Sequence, residues 1–101
     1  MEFTIRKVEL TKVDIDFDVL YDAIKEDFGN SPDEYDSISE YNEEIAEFFA
    51  TNESVFLQEV FGLNFNYDGD GSYYDIEANN GVLEEICNAF DDYVRTNKNI
   101  Q

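Results

Sequence analysis

The chain of 101 residues contains no histidine, no tryptophan, one proline and one cysteine. Without histidine, it lacks the side chain most often used as a general base near neutral pH. The lone Cys87 cannot form an internal disulfide and falls on the apolar face of a predicted helix, where a small buried hydrophobe is expected. These absences argue against an enzyme, and the single cysteine favours a reducing, cytoplasmic compartment.

Long hydrophobic runs are also missing. No apolar segment approaches the ~20 residues that a membrane helix needs, and the first residues lack the basic-then-apolar order of a secretory signal. Hydrophobic residues nevertheless make up 43% of the chain and aromatic residues 16%, more than in a chain too polar to collapse. We therefore expect one compact folded domain with no membrane segment.

Basic residues are few and unevenly placed. Six Lys and Arg stand against 25 Asp and Glu, which gives a formal net charge of −19. Between Asp14 and Tyr93 there are 23 acidic residues and one basic residue, Lys25. Like charges on neighbouring helical positions oppose folding, and solubility needs a net charge of only about 2–8. The surplus predicts a functional role for the charge, and it argues against direct nucleic-acid binding.

The N-terminal half is predicted to contain a strand followed by helices. Over residues 2–10, apolar and polar residues alternate in part, as they do in a strand. Asp16 can then cap a helix that stops at Gly29. Ser31-Pro32-Asp33-Glu34 has the serine, proline and glutamate of a capped helix start. The apolar stripe that follows forms either one helix to about Ala50 or two helices with a break before Ser39.

The C-terminal half is predicted to contain a short helix, a β-hairpin and a last helix. The short helix runs from Ser54 to Phe61, although these residues also suit a strand. From Leu63 to Ala78, apolar and polar residues alternate on both sides of a turn rich in Asp and Gly, as they do in a β-hairpin. The last helix follows Asn79. We expect residues 1–94 to form a single acidic α+β domain, with three to four helices and an antiparallel sheet of about three strands. Residues 95–101 are expected to be a flexible tail.

Residues 66–77 resemble the twelve-residue calcium loop of the EF-hand family. The resemblance would place oxygen ligands at regular positions and Gly71 at the sharp turn. Asparagine replaces the usual first aspartate, Tyr74 stands where a short ligand is usual, and there is no second loop. A turn rich in Asp and Gly explains the same residues, so we expect no cofactor and no metal, with a calcium-binding module as an alternative. The implied ligands are Asn66, Asp68, Asp70, the Ser72 carbonyl and Glu77.

Acidic residues are predicted to form exposed rows that bind a partner. Glutamates on the second helix recur at i, i+3, i+4 and i+7, opposite the apolar stripe. Neighbouring carboxylates would lie about 5–6 Å apart at Cβ, which is similar to phosphate spacing along one nucleic-acid strand. The rows are Glu40, Glu43, Glu44 and Glu47, then Asp14, Asp16, Asp18 and Asp22, and then Asp33, Glu34 and Asp36.

Tyr35 and Tyr41 flank these rows and are predicted to add contacts to the partner. Tyrosine offers a large contact area with few torsions to fix. Most tyrosines at helical spacing lie at the edge of a core, and that alternative stays open.

In its size, charge, lack of histidine and aromatic-rich α+β pattern, the chain resembles the small acidic inhibitors of bacteriophages and mobile elements. These are the DNA-mimic anti-restriction and anti-CRISPR proteins. The resemblance is compositional and assigns no family residue to a position here. It implies an inhibitor that occupies the basic site of a nuclease, a CRISPR effector or a DNA-binding protein. The alternative function is that of an immunity protein against a nuclease toxin. The chain could also form a homodimer by pairing of an N-terminal edge strand.

Overall fold

The computed structural model describes residues 1–6, 10–63, 65–66, 74–75 and 79–98. Within these ranges, four α-helices pack with a two-stranded antiparallel sheet in one α+β domain. The strands are β1 (Glu2–Arg6), β2 (Leu10–Asp14), β3 (Phe65–Asn66) and β4 (Tyr74–Asp75). The helices are α1 (Phe17–Phe28), α2 (Ile38–Thr51), α3 (Glu53–Phe61) and α4 (Asn80–Asn97).

The strand predicted over residues 2–10 is confirmed only over Glu2–Arg6, because Leu10 already belongs to the second strand, β2. The two strands pair antiparallel, with Phe3 opposite Val13. Phe3 and Ile5 are buried, at 7% and 0% exposure, so one face of β1 covers the core. The second strand satisfies backbone hydrogen-bonding groups of β1 that a lone strand would leave unpaired.

Helix α1 begins and ends where the sequence predicts. The Oδ1 of Asp16 accepts the backbone N–H groups of Asp18 at 3.0 Å and of Val19 at 3.3 Å. Gly29 follows the helix with a φ of 78°, a conformation that costs glycine no Cβ clash. Its apolar face is buried, as predicted, and consists of Phe17, Leu20, Tyr21 and Ile24.

The segment between α1 and α2 contains the predicted capping box, but the box begins only one turn of 3₁₀ helix. The Ser31 N–H donates to Glu34 Oε2 at 2.6 Å. The backbone is extended at Tyr35, and α2 starts after Ser37, whose Oγ accepts the Glu40 N–H at 3.1 Å. A second serine cap therefore starts α2 at Ile38, one residue before the predicted restart at Ser39. The predicted break is confirmed, but the segment before it is a single 3₁₀ turn rather than an α-helix.

Helix α3 begins at Glu53, one residue before the predicted start at Ser54, and Gly62 ends it with a φ of 71°. The antiparallel hairpin predicted beyond it is wrong for the pairs described, since β3 and β4 are parallel with Phe65 opposite Tyr74. The predicted turn of that hairpin lies outside the described residues. The antiparallel sheet therefore has two strands within the described ranges rather than about three.

Helix α4 is longer than the sequence indicated. The tail was expected from Arg95, but α4 continues through Asn97, and the Lys98 N–H donates to the Val94 carbonyl at 2.8 Å. Helix α4 lies antiparallel to α2, because Asn42 near the start of α2 contacts Lys98 just after α4, whereas Phe49 near the end of α2 contacts Phe90 in the middle of α4, at 5.0 Å between ring centroids.

A buried asparagine joins three helices. The Tyr21 hydroxyl donates to Asn42 Oδ1 at 2.5 Å, and Asn42 Nδ2 donates to the Lys98 carbonyl at 2.8 Å. Asn42 is 1% exposed. Because buried polar groups are costly when they lose their partners, this residue fixes the end of α4 against α1 and α2.

We expect Asn42→Ala to lower the free energy of unfolding by about 1–3 kcal/mol, because it leaves the Tyr21 hydroxyl buried without its acceptor. Urea denaturation followed by circular dichroism measures this change. Asn88→Ala is the matched control, since Asn88 is an exposed asparagine on α4, and it should change the value by no more than about 0.5 kcal/mol. Equal effects of the two substitutions would contradict the structural role of Asn42.

Candidate partner-binding surface

The four glutamates predicted on the second helix share one exposed face of α2. We call Glu40, Glu43, Glu44 and Glu47 the α2 acidic face; each of them is exposed. Tyr41, Ile45 and Phe49 are buried on the other side of the helix. Among the described residues, no cation forms an ion pair with these glutamates. The α2 acidic face therefore presents uncompensated negative charge from a helix anchored in the core.

The third predicted row lies just before α2. Asp33 and Asp36 are exposed, and the Glu34 carboxylate is occupied by its hydrogen bond to the Ser31 N–H. A capping carboxylate helps to hold the 3₁₀ turn in place. The two aspartates extend the negative surface beyond the start of α2.

The row predicted at Asp14 to Asp22 is partly neutralised. Asp14 Oδ1 lies 3.0 Å from the N-terminal ammonium, and Asp16 caps α1. Asp18 accepts a hydrogen bond from Tyr93 and lies 2.9 Å from Lys98 Nζ. These two partners hold the pKa of Asp18 below its usual value. This row is therefore a weaker source of net negative charge than the α2 acidic face.

The prediction that Tyr41 contacts a partner is wrong, since its side chain is 1% exposed. Its ring packs edge-on against Phe28 at 6.0 Å and Tyr35 at 5.5 Å, and burial raises its pKa. Tyr35 is half-buried, stacks on Phe28 at 6.4 Å and accepts a hydrogen bond from Asn30 at 3.1 Å. The edge-of-core alternative therefore describes Tyr41, and it applies in part to Tyr35.

An acidic side chain of α4 lies beside α2, which the sequence did not indicate. Glu43 and Glu47 line a groove between α2 and α4 together with Asp91 of α4. Arg95 lines the same groove and forms an ion pair with Asp91 at 3.2 Å. The sequence indicated that α2 and α4 are both long amphipathic helices, but it did not show that they pack together and bring Asp91 beside α2. The α2 acidic face thus continues onto α4, with one basic residue at its edge.

Cys87 is partly buried rather than fully enclosed, and its Sγ donates to Glu53 Oε2 at 2.7 Å. Burial and the nearby carboxylate raise the pKa of the thiol, which disfavours the reactive thiolate. In the described part of the chain, no three Asp, Glu or Cys side chains converge as metal ligands would. The calcium-like segment 66–77 lies outside the described residues, apart from Asn66, Tyr74 and Asp75.

The chain matches no family model, no curated protein and no solved structure. None of the helices in the described ranges is long and apolar enough to cross a membrane. The acidic surface formed by α2 and its neighbours is thus the feature on which a function can be based.

We expect at least two of the seven tyrosines to ionise well above pH 10 in the folded protein. Burial raises the pKa of Tyr21 and of Tyr93 to about 12, with the Asp18 hydrogen bond as the second cause at Tyr93. An unfolded tyrosine has a pKa of about 10. The raised values stabilise the fold fully below pH 10, and this contribution is lost as the pH rises toward 12.

Tyrosinate absorbance as a function of pH, with circular dichroism as the check on folding, measures this effect. Tyr93→Phe should remove one late-ionising component, whereas concentrated urea should move all of them to about pH 10. Ionisation of every tyrosine near pH 10 while the chain is still folded would contradict the burial of Tyr21 and the partial burial of Tyr93 beside Asp18.

Proposed function

We propose that this chain is a nucleic-acid mimic that inhibits a basic nucleic-acid-binding protein by occupying its binding site. The observation that supports this proposal most directly is the α2 acidic face, where four exposed glutamates have no ion-pair partner among the described residues. Charge that opposes folding and has no internal partner is best explained by a partner of opposite charge.

The packing of α2 against the core suits the helix to present a fixed row of carboxylates to a partner. Ile45 and Phe49 are fully buried, so the helix carrying the glutamates is packed against the core. Carboxylates on adjacent helical positions are about 5–6 Å apart at Cβ. A rigid row avoids much of the ordering cost that a flexible acidic segment would incur on binding. The arrangement therefore favours binding to a site shaped for a row of phosphates.

The partner class follows from the same electrostatics. A nuclease, a CRISPR effector or a DNA-binding protein offers a basic cleft, and competition with nucleic acid requires no catalytic group on this chain. We accordingly propose a cytoplasmic inhibitor that acts by binding alone. Affinity capture from a host lysate, followed by mass spectrometry, would identify the target for the tests below.

Reversal of Glu40, Glu43, Glu44 and Glu47 to lysine should abolish competition with labelled nucleic acid for the captured target. Four like charges would then face the basic site, and each close like-charge contact across an interface is costly. The fold should survive, because the change removes repulsion among neighbours on an exposed face. Thermal melting should show equal or slightly higher stability.

A control with the same change in net charge separates position from total charge. Glu26, Asp27, Glu59 and Glu85 are exposed and lie outside the α2 acidic face. Their reversal to lysine should weaken competition far less than reversal of the α2 acidic face does. If both quadruple variants lose activity equally, or if the α2 variant still competes like the parent, then this face is not the contact surface.

The affinity for the target should fall steeply as salt is raised. Opposing charged surfaces attract over about 10 Å at 0.1 M ionic strength, and added salt shortens that range. Titrations at several salt concentrations measure the slope, and the α2 reversal variant supplies the comparison. An affinity that stays constant from low to high salt would be incompatible with mimicry by charge.

A further inference from the structure

A groove with an aromatic floor and an acidic rim lies between the start of α1 and the end of α4. Its volume is about 440 Å³, within the range typical of ligand pockets. It lies apart from the α2 acidic face, none of whose residues lines it. We call it the α1–α4 groove. Its less exposed lining residues Phe17, Ala89 and Tyr93 form the floor, and its exposed carboxylates Asp16, Asp18 and Asp92 form the rim. Met1 also lines the groove, and its ammonium is paired with Asp14, which does not line it.

Residues of this groove already hold a cation of the chain itself. The Lys98 ammonium lies 2.9 Å from Asp18 Oδ1 and 5.8 Å from the centre of the Tyr93 ring. It also lies 5.0 Å from the centre of the Tyr21 ring. An ammonium between a carboxylate and aromatic rings gains both ion-pair and cation–π attraction. Lys98 thus shows that the aromatic and acidic side chains here are suited to binding a cationic group.

Two carboxylates of the rim are not engaged by Lys98. Asp92 is exposed and has no side-chain partner among the described residues. Asp16 is also exposed, and its Oδ1 accepts the two backbone bonds that cap α1. The apolar floor and the negative rim of the groove together complement a side chain that has a flat apolar body and a positive charge.

We propose that the α1–α4 groove binds an arginine side chain of the basic partner, with the guanidinium against the Phe17–Tyr93 floor and paired to Asp92 and Asp16. This proposal depends on the proposed function for the existence of a basic partner. Arginine fits better than lysine, because its planar group stacks on rings and forms two directed hydrogen bonds to carboxylates. Arginine is also among the residues that most often dominate binding energy at protein interfaces.

The test requires no knowledge of the partner. Titration of the isotope-labelled protein with N-acetyl-arginine amide should shift the amide resonances of the residues lining the α1–α4 groove, at millimolar probe concentrations. N-acetyl-citrulline amide has nearly the same shape without the charge, and it should produce no such shifts. N-acetyl-lysine amide should bind more weakly than the arginine probe. Equal binding of the arginine and lysine probes would overturn the choice of arginine.

Asp92→Asn and Asp27→Asn form a matched pair, since each removes one exposed carboxylate and only Asp92 lines the groove. We expect Asp92→Asn to weaken binding of the arginine probe about three- to fivefold, the size of an exposed ion pair. Asp27→Asn should leave it unchanged. Shifts spread over every acidic surface, equal effects of both substitutions, or no shifts at all would overturn the proposal.

The identified target separates this inference from the proposed function. If reversal of the α2 acidic face abolishes competition but Asp92→Asn leaves the affinity unchanged, mimicry stands and the groove does not bind the partner. If the arginine probe binds through Asp92 but the parent protein does not compete with nucleic acid, the groove stands and mimicry is wrong.

Discussion

The acidic surface depends on a series of aromatic contacts that joins each of the four helices in the described ranges to the N-terminal sheet. Phe17 of α1 contacts Phe3 of β1 and Phe90 of α4, at 6.2 and 5.6 Å between ring centres. Phe90 contacts Phe49 of α2, which contacts Phe56 of α3 at 6.3 Å. Such pairs add about 0.5–1.5 kcal/mol each beyond their buried area. A chain with a net charge of −19 needs this cohesion, because its surface charges repel one another.

Apart from Lys25, the cations whose side chains the structure describes lie near the ends of the described chain rather than in its acidic middle. Lys98 pairs with Asp18, and Arg95 pairs with Asp91 within the same helix. Exposed pairs of this kind contribute only about 0–1 kcal/mol, so they position side chains more than they stabilise the fold. No cation of the described residues forms an ion pair with the α2 acidic face, although Arg95 lies at its edge. The same distribution explains why the Asp14–Asp22 row, which pairs with the N-terminal ammonium and with Lys98, is partly neutralised.

Local signals predicted the local parts of this structure. Asp16 and Gly29 fixed both ends of α1, and the spacing of the glutamates placed the α2 acidic face correctly, since a helix positions its side chains by sequence separation alone. Contacts between distant segments could not be read in this way. The pairing of β1 with β2, the parallel pairing of β3 with β4 and the approach of Asp91 to α2 each depend on tertiary packing. Tyr41 was predicted to contact a partner because tyrosine is common in interfaces. Its position on the apolar stripe of α2 indicated burial instead, and the structure shows it buried.

Helix α4 separates the two surfaces that we propose for binding. Consecutive residues of a helix point about 100° apart, so Asp91 faces the groove beside α2 while Asp92 faces the α1–α4 groove. The α2 acidic face supplies unpaired charge, which acts over a distance and speeds association. The α1–α4 groove supplies aromatic surface beside its carboxylates, and such contacts act at short range and slow dissociation. A partner that uses both must therefore straddle α4, with its phosphate-binding site on one flank and its arginine on the other.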